Sequence, residues 1–116
     1  MMKYGLKEIY IEKIQSVFAY YPAIDKAVLY GSRAKGNYRT GSDIDITLVG
    51  DELDLNLILK IENELDDLLL PYNIDLSIFH KIENLDLIDH IKRVGIVFYE
   101  KNRNISTSGD DINPDE

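Results

Sequence analysis

Five residues of the chain combine types and spacing that could do chemistry. Gly31 and Ser32 are followed, ten residues later, by Asp43-Ile44-Asp45, and a further acid, Asp75, stands among Ile74, Leu76 and Ile78. Gly31 has no side chain, so backbone N–H groups can approach a bound anion closely. Ser32 adds a hydroxyl where a helix is expected to start, and free N–H groups at a helix start favour phosphate. Asp43 and Asp45 lie two apart on an expected strand, which points both carboxylates to one face, roughly 6.5–7 Å apart at Cα. Carboxylates that close raise each other's pKa unless a cation neutralises them. An all-oxygen site beside a phosphate cradle suits Mg²⁺, which takes one or two carboxylates plus substrate phosphates. Asp75 joins the pair if its strand lies beside theirs, at the usual spacing of about 4.8 Å. Three acids around two ions, roughly 3.5–4 Å apart, support in-line phosphoryl or nucleotidyl transfer.

The elements that must position these residues follow from the apolar pattern. Ala27 to Tyr30 reads as a strand leading into Gly31-Ser32, and Arg33-Ala34-Lys35 can begin a short helix. Ile46 to Val49 continues the Asp43 strand, with Ile44 and Ile46 facing the core. Leu6 to Tyr20 has helical spacing at Leu6, Ile9, Tyr10, Ile14, Val17 and Phe18, and Pro22 ends it. Leu53 to Leu70 is a second helix, stopped by Pro71. Its apolar face is broad, and Leu57 and Leu70 exceed what one sheet contact requires. Ile74 to Phe79 is the Asp75 strand, Leu85 to Val94 a shorter helix, and Ile96 to Tyr99 a last strand after Gly95. The expected fold is α/β (α+β), a small mixed sheet with helices packed mainly on one side. Residues 1–100 form the domain, and 101–116 read as a polar tail that cannot bury enough surface to order itself.

Composition narrows the function classes. The chain has 116 residues, 45% apolar and 29% charged, with a net charge of −8 and no cysteine. That is one domain with a real core and little room for a second lobe. The acidity argues against general nucleic-acid binding, which needs a basic surface. Without cysteine there is no disulfide and no thiolate zinc site. The first residues read as an amphipathic pattern containing acids rather than a signal peptide, so a cytoplasmic protein is expected. Arg33, Lys35 and Arg39 form the basic cluster nearest the motif, a solvated loop or a set of phosphate contacts. His80 and His90 are isolated and read as structural or surface residues.

Gly-Ser, ten residues and Asp-Ile-Asp, with the later Asp75, closely resembles the DNA polymerase β-like nucleotidyltransferases. The short chain is similar to the minimal nucleotidyltransferases, including those encoded with a helical HEPN partner in toxin–antitoxin pairs. Asp43-Ile44-Asp45-Ile46-Thr47 also matches the opening motif of haloacid dehalogenase-like phosphatases. In those, however, the acids end a hydrophobic strand, whereas here Asp43 precedes one. The nucleotidyltransferase resemblance implies a nucleoside triphosphate, ATP, held by Gly31 and Ser32 with Arg33 beside them. It implies two Mg²⁺ ions on Asp43 and Asp45, with Asp75 binding the ion nearest the attacking hydroxyl and taking its proton. It further implies transfer of AMP to a hydroxyl, a tyrosine on or held by a HEPN-type partner. Self-association is a second use for the broad helix face. The alternatives are a subunit of a two-protein transferase acting on a small molecule, and a catalytically silent antitoxin.

Overall fold

The computed structural model describes residues 2–101; the polar segment from 102 onward, most of the expected tail, lies outside them. The chain begins with a small hairpin, β1 (Met2–Lys3) and β2 (Leu6–Lys7). Tyr4 and Gly5, at φ 58° and 74°, turn it, and the turn buries Leu6. The first helix, α1 (Glu8–Ala19), therefore starts two residues later than its apolar spacing suggests.

Four strands form the main sheet: β3 (Lys26–Tyr30), β4 (Ile44–Val49), β5 (Ile74–Ile78) and β6 (Ile96–Glu100). Their order is β5-β4-β3-β6. β3 pairs antiparallel with β4 and β6, while β4 and β5 run parallel. A parallel pair needs a crossover connection, which α3 (Leu55–Asp66) supplies. Between β3 and β4 lies a single turn, α2 (Ser32–Lys35). A 3₁₀ turn at Phe79–Lys81 leads from β5 towards α4 (Leu85–Val94).

Strand alternation divides the sheet into two unlike faces. Ala27, Leu29, Ile44, Ile46, Leu48, Leu76, Ile78 and Phe98 face inward and pack with Ile11, Ile14, Val17 and Phe18 of α1 and Ile58, Ile61 and Leu65 of α3. The two longer helices thus fill one side, as expected. On the other side, α4 packs against β3: a Cβ on Gly95 would sit 2.7 Å from Val28 Cγ1. Ile91 of α4 and Tyr30 are buried there, apart from the main core.

The second long helix is shorter than its apolar run. Asp54 caps it, its side chain accepting from the Leu57 N–H at 2.8 Å, which fixes the start at Leu55. Leu69 adopts φ 55°, a conformation that ends a helix, ahead of Pro71. The excess apolar positions also differ from expectation. Leu57 and Leu70 pack against the core; Leu55, Leu59 and Leu69 are the exposed ones, at 67, 50 and 87%. A count of leucines cannot say which of them the sheet covers.

Candidate active site

The register of the central strands assembles the site. Tyr30, the last residue of β3, lies opposite Asp45, and Asp45 lies beside Asp75 on β5. Because Tyr30 faces Asp45, the next residue, Gly31, is carried over the Asp45 carboxylate. Gly31 has φ 76° and ψ −156°, a region open only to glycine. A Cβ there would meet Asp45 Oδ2 at 2.3 Å. Glycine at this position keeps backbone against carboxylate.

Ser32 then opens α2, which Gly36 closes in a left-handed conformation at φ 88°. The Lys35 N–H donates to the Gly31 carbonyl at 3.0 Å, and the first N–H groups of such a turn have no intrahelical acceptor. With only one turn, the macrodipole contribution expected from a longer helix is small. The cradle rests on backbone N–H groups.

Asp43 precedes β4 and is exposed, Asp75 is exposed, and Asp45 is half-buried. The Asp45 carboxyl is pushed above its ordinary pKa, first by burial, then by the Asp75 and Asp43 carboxylates; His90 and Arg33 oppose this. Burial likewise pushes the Tyr30 hydroxyl up, opposed by a hydrogen bond with Ser77 and reinforced by Asp75 and Asp45. The Ser77 hydroxyl donates to Thr47 Oγ1 at 2.9 Å. Beneath the carboxylates, the sheet face is a hydrogen-bonded polar floor.

Among the described residues, no group of three or more His, Cys, Asp or Glu converges closely enough to hold a metal by itself. The expected three-acid cage is therefore not preformed. Burial raises the Asp45 pKa, like charge on Asp75 and Asp43 adds to it, and a proton or a cation relieves that repulsion. The donor set still fits Mg²⁺: all-oxygen, facing a turn where a Cβ would meet Asp45, and Mg²⁺ commonly completes its shell with substrate phosphate oxygens.

Arg33 is placed differently from expectation. It is 3% exposed, and its guanidinium donates to the Tyr4 carbonyl at 2.9 Å and twice to the Ser42 carbonyl, at 3.1 and 2.8 Å. The rings of Tyr38 and Tyr72 lie 5.2 and 4.9 Å from it. Arg33 clamps the 33–42 loop to the N-terminal hairpin and lends the site only its field. Lys35 and Arg39 are exposed on that loop, and His80 is exposed in the 3₁₀ turn.

His90 joins the site, which sequence reasoning missed. Its Nε2 accepts the Gly31 N–H at 3.1 Å, and its ring stands edge-on to Tyr30 at 6.1 Å. The one available signal was its place next to Ile91, the buried residue of α4.

A glycine-serine turn over in-register carboxylates, on a small mixed sheet backed by two helices, defines a nucleotidyltransferase fold. The chain belongs to the family described as polymerase beta, nucleotidyltransferase, whose model matches residues 12–104. Its structural neighbours include MNT antitoxins in HEPN–MNT toxin–antitoxin complexes. A toxin–antitoxin complex with AMP-PNP contains a chain with a TM-score of 0.63 and 22% identity, over 84% of this chain and 77% of that one. The MntA–HepT complex gives 0.61 and 18%, over 84 and 75%. The complex of tri-AMPylated Shewanella oneidensis HEPN toxin with MNT antitoxin gives 0.60 and 18%, over 83 and 74%. At these identities the likeness is one of fold. No curated protein matches the chain. No helix among the described residues is long and apolar enough to cross a membrane.

Proposed function

We propose that this domain is a Mg²⁺-dependent nucleotidyltransferase that moves AMP from ATP onto a hydroxyl carried by a helical HEPN-type partner, acting as the antitoxin of a cytoplasmic pair. The observation that carries the reading is Asp45 in register with Asp75 directly beneath Gly31. Gly31 and Ser32 hold the β- and γ-phosphates through backbone N–H groups and the Ser32 hydroxyl. Asp43 and Asp45 would hold the Mg²⁺ ions, with Asp75 joining them on the acceptor side. When bound, the ions neutralise charge that builds up on the attacking and leaving oxygens. Asp75, exposed beside Asp45, takes the proton of the acceptor hydroxyl, a role for a base within hydrogen-bond reach. The hydroxyl oxygen bonds to the α-phosphorus, the bond from that phosphorus to the β-phosphate bridging oxygen breaks, and pyrophosphate leaves.

Two further observations support the partner. Leu55 and Leu59 share one face of α3, four residues apart, and both are exposed. Neighbouring structures pair this fold with a HEPN toxin, in one case tri-AMPylated. The test is to purify the chain with whatever co-purifies from its source and incubate the two with each Mg-nucleotide, reading the mass shift. Adenylate should appear on the partner only when both proteins are present. It should vanish with Asp75→Ala while the complex persists. Robust transfer to a small molecule by the isolated chain overturns the protein-acceptor reading, and a complex without any transfer makes this a silent antitoxin.

A further inference from the structure

The N–H of Gly31, the residue packed against the Asp45 carboxylate, is already in use. It donates to His90 Nε2 at 3.1 Å, across 59 positions of sequence. An imidazole nitrogen that accepts a hydrogen bond does so through a lone pair, here the one on Nε2. That lone pair stands where an anionic oxygen would stand if the glycine turn received one. One N–H cannot serve two acceptors at full strength, since a hydrogen bond weakens steeply as it bends. The ring has a fixed seat: it stands edge-on to Tyr30 at 6.1 Å. The helix that carries it is anchored by buried Ile91 and capped by Asn84, which accepts the Leu87 N–H at 3.1 Å.

We propose that His90 is a positioning residue that occupies the place of a phosphate oxygen in the nucleotide-free domain, and that a triphosphate must displace it from Gly31 in order to bind. This rests on the phosphate-holding role proposed for Gly31. The histidine keeps the N–H satisfied and the glycine turn in its Gly-only conformation, so the cradle is shaped before the ligand arrives. Its cost is one hydrogen bond that the ligand must break. Because α4 carries the ring, release of His90 also uncouples α4 from the glycine turn.

Two variants separate the acceptor from the ring. His90→Phe keeps a ring against Tyr30 but has no acceptor. His90→Gln keeps an oxygen near the position of Nε2. Affinity for ATP is measured by calorimetry, with EDTA and with Mg²⁺, together with the Gly31 amide resonance and the His90 side-chain nitrogen resonances. A net hydrogen bond of ordinary strength predicts that His90→Phe binds ATP about three- to tenfold more tightly, while His90→Gln stays near wild type. In the wild type, ATP should move both the Gly31 amide and the His90 Nε2 signals, which a merely structural histidine would not do. Unchanged or weaker ATP binding by a folded His90→Phe overturns the role of His90, as does an Nε2 signal indifferent to ATP. Failure of the wild type and both variants to bind any nucleoside triphosphate overturns the phosphate cradle itself, and this proposal with it.

Discussion

Replacing Gly31 by alanine tests the centre of the site with a single methyl group. The new Cβ would lie 2.3 Å from Asp45 Oδ2, 3.2 Å from its Cγ and 3.5 Å from its Cβ. The carboxylate must turn out of the way, and an off-rotamer side chain costs about 0.5–1.5 kcal/mol. The backbone at φ 76° and ψ −156° adds about 1–3 kcal/mol for any residue with a Cβ. Together these place the loss of stability at about 1.5–4.5 kcal/mol. Each kcal/mol lowers Tm by roughly 4–8 °C in a domain of this size.

Gly36→Ala is the matched control. Gly36 also has a positive φ, 88°, but nothing lies within 4 Å of its added Cβ. It pays only the left-handed backbone term, about 1–2 kcal/mol. Denaturant unfolding should therefore find Gly31→Ala the less stable of the two. Calorimetry should find that Gly31→Ala loses divalent-ion and ATP binding while Gly36→Ala keeps both. If Gly31→Ala binds divalent ions as the wild type does, Asp45 is not the group that Gly31 holds in place, and the reasoning fails.

Other perturbations probe the surrounding charges. Asp45 is held above its ordinary pKa of 3.8, chiefly by burial, so the native state keeps the proton longer than the unfolded one. Metal-free stability should therefore fall as pH rises through the window just above 3.8, and the loss persists at neutral pH. Asp43→Asn/Asp45→Asn should abolish that slope and raise Tm by a few degrees in EDTA at pH 7, while losing Mg²⁺ or Mn²⁺ binding. Unaltered divalent affinity by calorimetry would count against the site. Arg33→Lys cannot reproduce the forked contacts to the Tyr4 and Ser42 carbonyls and should destabilise the domain by about 2–4 kcal/mol without any ligand. Full stability with weakened ATP binding would instead make Arg33 a phosphate contact. A chain ending at Lys101 should bind Mg-ATP normally, because the assigned residues all lie between Gly31 and His90; loss of binding would place part of the site beyond it.

The elements that carry the chemistry were legible because they obey short periods. Ile44, Ile46 and Leu48 alternate with Asp45 and Thr47, and the structure puts the first set in the core and the second on the site face. The apolar flanks of Asp75 likewise set its strand, and parallel pairing then brought it beside Asp45. Gly31 was legible as a residue type, but its reason was not. That reason, an approach to Asp45 too close for a Cβ, exists only once Tyr30 is paired with Asp45.

What escaped the sequence has a common physical origin. Arg33 looked like one of three basic residues on a loop, yet its partners are the backbone carbonyls of Tyr4 and Ser42. The Gly31 group that finds His90 is a backbone N–H. Every residue brings a carbonyl and nearly every residue an N–H, so the identity of a side chain's partner leaves no mark at the partner's position. Leu57 and Leu59 differ in burial for the same kind of reason: both are leucine, and only the turn of a helix started by Asp54 decides which faces the sheet. Acids two apart on a strand and a glycine turned against one of them are written in residue type. The residues that hold those groups in place answer to backbone geometry instead, and only the folded chain reveals them.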